Sequence, residues 1–312
     1  MNNKISDILK RLLLLPCVLM ICLSAMASCS DDSDDFDEDF VEEWYDPIRI
    51  GTYNIQYDNL SDLENPWSNR NIILEKILKE YDFDIFGAQE PYLNQLTDMM
   101  KYLPDYAYIG KAITGETNVE RRHFCPIFYK KDKFEVLKDG MFWLSETPST
   151  PNSKGWDAYS VRICVWVLFK DKATGKEFYH FNTHFDHIGT TARQESAKLL
   201  VKKMEELASG KPIFVTGDFN SNQKSVAYNT IVTSGVVVDS YSRTETKINA
   251  NWPTYNGYKY ISTPPANATR IDHLFVTTKG TKVMSWKIAN DDYSKKYPSD
   301  HYPILVEWCF RK

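Results

Sequence analysis

Six short polar segments constrain this chain more than any other feature, because five of them directly adjoin an apolar run of the β type. They cover residues 52–56, 87–90, 182–187, 217–220, 270–273 and 299–301. Polar residues in such positions lie at strand ends, where several strands can direct side chains toward one point. The pattern therefore favours a strand-rich fold with one composite polar site.

Apolar periodicity supplies the rest of the predicted elements. Strands are predicted at 48–55, 85–89, 124–129, 134–142, 161–169, 178–183, 213–216, 271–276, 283–288 and 304–308, and helices at 69–81, 93–103 and 192–208. Residues 171–176 are typical of a hairpin turn between two strands. Hairpins mixed with strand–helix–strand units favour an α/β fold of two packed sheets with helices outside.

The N-terminal residues predict an export signal with a lipid attachment site. Lys4, Lys10 and Arg11 precede an apolar stretch, 12–26, that is short for a membrane span. The sequence Met-Ala-Ser-Cys at 26–29 is similar to the lipobox of bacterial lipoproteins. That similarity implies a signal peptide over 1–28 and lipidation of Cys29. An ordinary signal peptide and an uncleaved anchor are the alternatives.

Residues 29–45 carry nine acids and no base, which predicts a solvated, flexible tether. Such acidic runs resemble signals that export lipoproteins to the cell surface in some Gram-negative bacteria. We therefore expect an extracytoplasmic protein at the outer membrane, attached to it through the lipid alone, with the cell surface as an open alternative. Residues 46–312 then form one domain, which we expect to be monomeric.

The net charge weighs against one class of partner. The whole chain carries −5, and since residues 1–28 carry +2 and residues 29–45 carry −9, residues 46–312 carry +2. A protein that holds long nucleic acid through its phosphates should be strongly positive. Nucleic acid is therefore an open but disfavoured substrate.

The three cysteines of residues 46–312 are isolated from one another in the sequence. They are Cys125, Cys164 and Cys309, and none belongs to a closely spaced pair. Their odd number and spacing argue against a zinc site and against a full disulfide framework. We expect them to be buried apolar residues.

The six polar segments resemble, in chain order, the motifs of the endonuclease/exonuclease/phosphatase superfamily. This superfamily includes pancreatic DNase, exonuclease III-type endonucleases, inositol polyphosphate 5-phosphatases and neutral sphingomyelinases. The resemblance covers residues 47–309, and segments 128–132 and 155–158 are similar to its secreted bacterial members. It implies a four-layer α/β/β/α sandwich of two mixed sheets with flanking helices, and an active site that hydrolyses phosphate esters.

The resemblance also implies a metal site. Glu90 would bind a divalent cation, with Asp300 on the opposite side of it. The oxygen-rich composition of the polar segments favours Mg²⁺ or Mn²⁺ over a thiolate-bound metal. Gln56 occupies a position where some nucleases of the superfamily carry an acid, so a second metal ligand there is in doubt.

Six further residues would act on phosphate and water, namely Asn54, His184, Asp218, Asn220, Asp272 and His301. By resemblance, Asp218 would serve as general base or water orienter, with Asn220 beside it. Asp272 would fix the tautomer of the His301 ring. His184 would contact the phosphate, and Asn54 would help to fix the metal-side carboxylate and the phosphate.

Substrate-binding candidates are fewer. Arg162 is a candidate phosphate ligand. Trp156 and Trp252, together with Trp143, Tyr255 and Tyr258, are candidates for an aromatic rim that would suit a sugar. Asp186 would support its neighbours or contact the substrate.

The expected function is a divalent-metal-dependent phosphoesterase that hydrolyses a small or glycan-borne phosphate ester by in-line attack of water. Three alternatives stay open. They are a surface or periplasmic nuclease, a phospholipid or sphingomyelin phosphodiesterase, and a non-catalytic binding lipoprotein on the same fold. The complete set of eight predicted metal, phosphate and water ligands argues against the last of these.

Overall fold

A computed structural model describes residues 42–312 of the chain. The predicted signal peptide, Cys29 and the tether up to residue 41 lie outside the described residues. The predicted domain begins at residue 46, and Trp44, just before it, also pairs with the fold through a β-bridge to Arg311 after the last strand.

The described residues form thirteen strands, four helices and one short 3₁₀ helix. The strands are β1 (Ile48–Asn54), β2 (Ile85–Gln89), β3 (Tyr106–Ile109), β4 (Ile127–Lys130), β5 (Phe134–Trp143), β6 (Ile163–Asp171), β7 (Glu177–His184), β8 (Ile213–Asp218), β9 (Val238–Asp239), β10 (Lys247–Ile248), β11 (Asp272–Val276), β12 (Thr281–Ile288) and β13 (Ile304–Phe310). The helices are α1 (Trp67–Tyr81), α2 (Leu93–Tyr102), α3 (Thr190–Ala208) and α4 (Val226–Val232), and the 3₁₀ helix covers Ser240–Arg243.

Two mixed sheets pack face to face between two layers of helices. The first sheet has the strand order β10-β12-β13-β1-β2-β4-β3, and the second has the order β5-β6-β7-β8-β11-β9. One apolar cluster fills the space between the sheets, a second packs α1 and α2 on the first sheet, and a third packs α3 and α4 on the second. The predicted four-layer α/β/β/α sandwich is therefore confirmed.

Side-chain alternation along β1 directs its polar end toward the second sheet. Ile48 and Ile50 contribute to the cluster between the sheets, whereas Tyr53 contributes to the cluster under α1 and α2. Because successive residues of a strand face opposite sides, Asn54 shares the inward face of Ile50. Its amide therefore points at the second sheet.

Strand register then brings the polar segments to one edge. In the first sheet, β1 and β2 are parallel and end together, at Asn54 and just before Glu90. In the second sheet, β7 and β8 are parallel, with His184 opposite Asp218. The antiparallel strand β11 begins at Asp272, which also lies opposite Asp218. These pairings place residues from both sheets at the same edge.

A buried polar contact holds the two sheets together below this edge. The Asn182 amide donates to the carbonyl of Ala88 at 2.8 Å, and Gln89 donates to the Asn182 side-chain oxygen at 2.7 Å. A Cβ on Gly87 would lie 2.2 Å from Thr216 Oγ1 and 2.3 Å from that Asn182 oxygen. Glycine at position 87 is thus required by the close approach of the sheets.

Two further observations concern residues 42–312. Cys125, Cys164 and Cys309 are free and buried, which confirms the prediction. Across the same residues, the structure contains no helix with both the length and the apolarity needed to cross a bilayer.

Candidate active site

A cleft of about 570 Å³ opens at the edge where the polar strand ends meet. Six of the eight residues with predicted metal or catalytic roles line it, namely Glu90, His184, Asp218, Asn220, Asp300 and His301. The other two, Asn54 and Asp272, lie directly behind and are hydrogen-bonded to lining residues. The structure thus brings all eight together.

His301 forms a hydrogen-bonded dyad with Asp272. The ring Nδ1–H donates to Asp272 Oδ2 at 2.9 Å, and the ring Nε2 lies 3.8 Å from Asp218 Oδ2. Burial alone would lower the pKa of His301, but the charges of Asp272 and then Asp218 outweigh it and raise that pKa well above its usual value. The imidazole is therefore a cation held between two carboxylates.

Asp218 lies almost fully buried at the centre of the cleft. Burial and then the nearby Asp272 carboxylate raise the pKa of Asp218 to about 7, against the opposing charge of His301. The Asn54 amide donates to its Oδ2 at 3.0 Å, and the backbone N–H of Asn220 donates to its Oδ1 at 2.9 Å. A carboxylate fixed in this way, with a pKa near neutrality, is suited to accept a proton from water.

His184 lies among hydrogen-bond donors. Arg162 Nη1 is 2.9 Å from the ring Nδ1 and 3.1 Å from the ring Nε2 of His184, and Asn220 Nδ2 is 3.2 Å from Nε2. Burial and then the charge of Arg162 lower the pKa of His184 well below its usual value. The ring is therefore neutral, and the positive charge on this side of the cleft belongs to Arg162.

Asp186 is not available to bind substrate, because hydrogen bonds from the protein itself occupy its carboxylate oxygens. It accepts backbone N–H bonds from Tyr159, Ser160, Ile188 and Gly189 at 2.7–3.1 Å and lies 3.4 Å from Arg162 Nε. Burial would raise the pKa of Asp186, but these backbone donors hold it well below the usual value. These contacts agree with the expectation that Asp186 supports its neighbours and correct the alternative that it contacts substrate, since the carboxylate anchors the loops that carry Arg162.

Glu90 and Asp300 are two further carboxylates that line the cleft. Burial would raise the pKa of Glu90, but His123 and the Asn54 amide, which donates to Oε1 at 3.1 Å, lower it below the usual value. Burial raises the pKa of Asp300, and the Glu90 carboxylate adds to that rise against the opposing charge of His301. Among residues 42–312, no Lys or Arg nitrogen lies within 4 Å of either carboxylate.

These two carboxylates fit a hard divalent cation. Partly buried acids without a basic partner are costly unless a cation compensates them, and carboxylate oxygens are preferred ligands of Mg²⁺ and Mn²⁺. A second grouping is also compact enough, since ligand atoms of Asp218, Asp272 and His301 lie within 4.8 Å of one another. In that second grouping the His301 proton already offsets part of the carboxylate charge, whereas Glu90 and Asp300 have no such partner.

A buried guanidinium fixes the backbone beside this carboxylate pair. Arg70 donates to the carbonyls of Asn65, Ile55, Gln56, Tyr57 and Pro298 at 2.7–3.2 Å. Two of the connected segments reach the carboxylates directly. The backbone N–H of Tyr57 donates to Glu90 Oε2 at 3.2 Å, and Pro298 lies two residues before Asp300.

Three residues of the site adopt left-handed backbone conformations, which residues other than glycine rarely do. They are Gln56 (φ 51°), Glu90 (φ 74°) and Asn220 (φ 46°). Such conformations cost about 1–3 kcal/mol each and persist where surrounding contacts impose them. Here Asn54 Oδ1 accepts the Gln56 N–H at 3.0 Å, and Asp218 accepts that of Asn220. The site is thus pre-formed at some cost in stability.

The predicted aromatic rim is partly wrong. Trp156 lies outside the cleft, where its backbone N–H donates to the Glu146 carboxylate. Trp252 packs on the cluster between the sheets, 6.3 Å from the Tyr302 ring. Of the predicted rim, Tyr255 lines the cleft, with its ring centroid 5.1 Å from that of His301.

Five other cleft residues have no role predicted from the sequence, although His187 lies in the polar segment 182–187. They are Tyr57, Tyr92, His123, Tyr159 and His187. Three of these rings form one wall, with centroids 5.0–5.4 Å apart among Tyr57, Tyr92 and His123. They lie on loops outside the periodic segments, so only the fold shows that they converge.

Comparisons with known proteins agree with this geometry. The pattern that defines the Endonuclease/Exonuclease/phosphatase family matches residues 51–301. A mannosyl-6-phosphatase from Bacteroides thetaiotaomicron VPI-5482 is 40% identical, with a TM-score of 0.78 over 84% of this chain and 100% of that one. An uncharacterized mimivirus protein is 28% identical over 77% of this chain and 91% of its own length.

A more distant curated relative is the Saccharomyces cerevisiae 3'-5'-exoribonuclease subunit Ccr4 of the CCR4-Not complex. It is 22% identical over 79% of this chain but only 36% of its own length, so this chain spans about a third of that protein. The family pattern covers most of the chain and includes every polar segment that forms the cleft. The chain therefore belongs to the Endonuclease/Exonuclease/phosphatase family, whose members hydrolyse phosphoester bonds.

Proposed function

We propose that this chain is a Mg²⁺- or Mn²⁺-dependent phosphoesterase that hydrolyses a small or glycan-borne phosphate ester by in-line attack of water. The observation that carries the proposal is the pairing of two differently compensated carboxylate groups in one cleft. Glu90 and Asp300 have no Lys or Arg nitrogen within 4 Å among the described residues, while Asp218 and Asp272 share the His301 proton. The similarity to a mannosyl-6-phosphatase supports the choice of substrate class.

Each group of the cleft has a distinct task in this reaction. A divalent cation held by Glu90 and Asp300 would neutralise charge on the phosphoryl oxygens. Asp218, with its raised pKa, orients the attacking water and takes up its proton. Asn220 fixes Asp218 through its backbone N–H and presents its side-chain amide beside His184.

Cationic side chains and hydrogen-bond donors of the protein would contact the phosphoryl group in the cleft. The His301 imidazolium, oriented by Asp272, presents its Nε2–H toward Asp218 and the cleft. Arg162, with His184 beside it, faces the same space. Donors placed in advance around a developing negative charge are the largest usual contribution to catalysis of this kind.

A nuclease is the principal rival, since Ccr4 is named as an exoribonuclease. The net charge of +2 over residues 46–312 argues against a long polyanion as substrate. The nuclease hypothesis predicts cleavage of RNA or DNA at a rate that falls steeply as the salt concentration increases.

The test is hydrolysis by the described domain, residues 42–312, with Mg²⁺ and with Mn²⁺. The panel contains hexose 6-phosphates, inositol phosphates, phospholipids, RNA and DNA. Release of phosphate from the small esters, lost in Asp218→Asn and retained in the exposed control Asp139→Asn, would support the proposal. Cleavage confined to nucleic acid would replace it with the nuclease, and cleavage confined to phospholipid with a phosphodiesterase.

The location is a further part of the proposal and comes from the N-terminal sequence alone. We expect the full-length protein to be a monomer that enters the membrane fraction through a lipid on Cys29. Labelling with a radioactive fatty acid should mark the wild type and not Cys29→Ser. Equal labelling of the two would contradict the lipid anchor.

A further inference from the structure

His187 lines the cleft in a fixed orientation. Its ring Nδ1 lies 3.0 Å from Arg162 Nη2. A guanidinium can only donate hydrogen bonds, so this Nδ1 must be the acceptor, and the neutral ring carries its hydrogen on Nε2. The ring is exposed, and the Tyr159 ring packs edge-on against it with centroids 5.3 Å apart. His187 thus presents one N–H at a defined place in the cleft wall.

The same contacts leave donors on Arg162. A guanidinium has five N–H groups. Nη1 lies near both ring nitrogens of His184, but a neutral imidazole has only one acceptor nitrogen, so His184 takes one Nη1–H. With the contacts to Asp186 and His187, one N–H is therefore occupied on each nitrogen of Arg162, and one remains on Nη1 and one on Nη2. Arg162 is only 7% exposed and lines the cleft, so these donors have little access to solvent other than through the cleft.

Asp186 fixes the positions of Tyr159, Arg162 and His187 before substrate binds. It binds the backbone N–H groups of Tyr159 and Ser160 on one loop and of Ile188 and Gly189 on the other. It also lies against Arg162 Nε. The loops that carry Tyr159, Arg162 and His187 are therefore tied to one buried carboxylate. A pre-formed donor set loses little conformational entropy on binding.

We propose that Arg162, His187 and Tyr159 form a wall that selects phosphate monoesters over diesters. The inference depends on the proposed phosphoesterase function and narrows its substrate class. A monoester presents three non-bridging oxygens and a charge near −2 at neutral pH, as a phosphorylated side chain does. A diester presents two such oxygens and a charge of −1, because its third oxygen carries a second carbon substituent.

The wall distinguishes the two esters by its contacts with the third phosphate oxygen. In a monoester this oxygen accepts hydrogen bonds from His187 Nε2–H and from Arg162. In a diester it is a poor acceptor, its substituent meets the Tyr159 ring, and the Arg162 donors stay unpaired. Sites built to hydrogen-bond one group reject analogues that lack it, because buried donors left without a partner are costly.

The test compares p-nitrophenyl phosphate with methyl p-nitrophenyl phosphate, which share a leaving group. With saturating Mg²⁺, the monoester should have the higher kcat/KM in the wild type. In His187→Ala, we expect kcat/KM for the monoester to fall about 100-fold, the usual effect of one lost oxyanion donor. The diester value should stay within about twofold, and His187→Gln, which keeps a donor, should recover part of the loss. Tyr159→Ala should raise the diester value.

Binding of inorganic phosphate provides a second readout that needs no turnover. Calorimetry with Mg²⁺ present should show weaker phosphate binding in His187→Ala, with the Mg²⁺ affinity unchanged. Two results would contradict the proposed selection of monoesters. One is a higher kcat/KM for the diester in the wild type, and the other is a monoester-to-diester ratio of kcat/KM that His187→Ala leaves unchanged. If neither ester is hydrolysed with either metal, the phosphoesterase proposal fails. Equal phosphate binding by the wild type and His187→Ala would then contradict the role of the wall in binding phosphate, independently of turnover.

Discussion

Two groups of carboxylates lie in the same cleft and are compensated in opposite ways. Asp218 and Asp272 share the His301 imidazolium, so one positive charge of that group offsets one of its two negative charges. Glu90 and Asp300 have no Lys or Arg partner within the described residues 42–312, and at short range they receive only neutral donors, namely three amides and the Ser299 hydroxyl. This difference supports the proposal that the first pair handles a proton and the second binds the cation, although both consist of carboxylates.

Removing the dyad carboxylate should have the largest effect. In Asp272→Asn, the His301 ring loses the acceptor that fixes its tautomer and the charge that raises its pKa. We expect kcat to fall about 10³–10⁴-fold, comparable to the loss of the orienting Asp of a serine-protease triad. Steady-state kinetics at saturating Mg²⁺ measure it, with Asp139→Asn as control. A loss that excess Mg²⁺ reverses would mean that Asp272 binds the metal instead.

Removing a carboxylate from the other group should change the metal dependence. In Glu90→Gln, the side chain keeps its shape but loses the charge that attracts the cation. We expect the Mg²⁺ concentration for half-maximal activity to rise by about 100-fold or more, because changing even an outer contact of a metal site lowers its affinity up to about 100-fold. The matched control is Glu205→Gln on the exposed face of α3. An unchanged Mg²⁺ dependence would argue that Glu90 is not a ligand.

Asp186 is a third kind of buried carboxylate, whose negative charge is stabilised mainly by backbone N–H donors. Its pKa is held low by backbone donors, so its contribution to stability is complete above the unfolded-state pKa of about 4 and declines as the pH falls below it. We expect Asp186→Asn to lower the free energy of unfolding by about 2–3 kcal/mol at pH 7. Urea unfolding at pH 7 and pH 3 should show the gap to wild type shrinking at pH 3. A gap that stays constant would mean that Asp186 acts through shape and not charge.

Arg70 should have the smallest effect on turnover, because it positions the cation-binding group from behind. A lysine in its place cannot reach all five carbonyls, since its ammonium has three donors. We expect Arg70→Lys to raise the Mg²⁺ requirement about threefold to tenfold and to leave kcat at saturating Mg²⁺ nearly unchanged. A fall in kcat with an unchanged Mg²⁺ requirement would place its influence elsewhere.

Regular elements were predictable because their signal is local. All ten predicted strands and all three predicted helices occur, with ends shifted by at most three residues. The elements that periodicity missed are short, such as β3, β9, β10 and α4. Short elements offer too few repeats of a strand or helix pattern to be recognised.

The strand-end residues of the site were predictable for a different reason, namely that six ordered motifs resemble a known family. The residues that shape the substrate space were not. Trp156 and Trp252 are aromatic and polar-flanked in sequence, yet one lies outside the cleft and the other packs on the core. His123 and His187 face the cleft because loops fold back over strand ends. That convergence depends on long-range contacts, such as those of Asp186, which no local pattern encodes.

The most direct test of the two-group account is Mn²⁺ binding, measured by calorimetry on the wild type, Glu90→Gln and Asp272→Asn. The account predicts that Glu90→Gln weakens Mn²⁺ binding about 100-fold, whereas Asp272→Asn binds Mn²⁺ as the wild type does although it has lost its activity. The reverse result, with Asp272→Asn losing the cation and Glu90→Gln keeping it, would place the metal among Asp218, Asp272 and His301 and contradict the assignment.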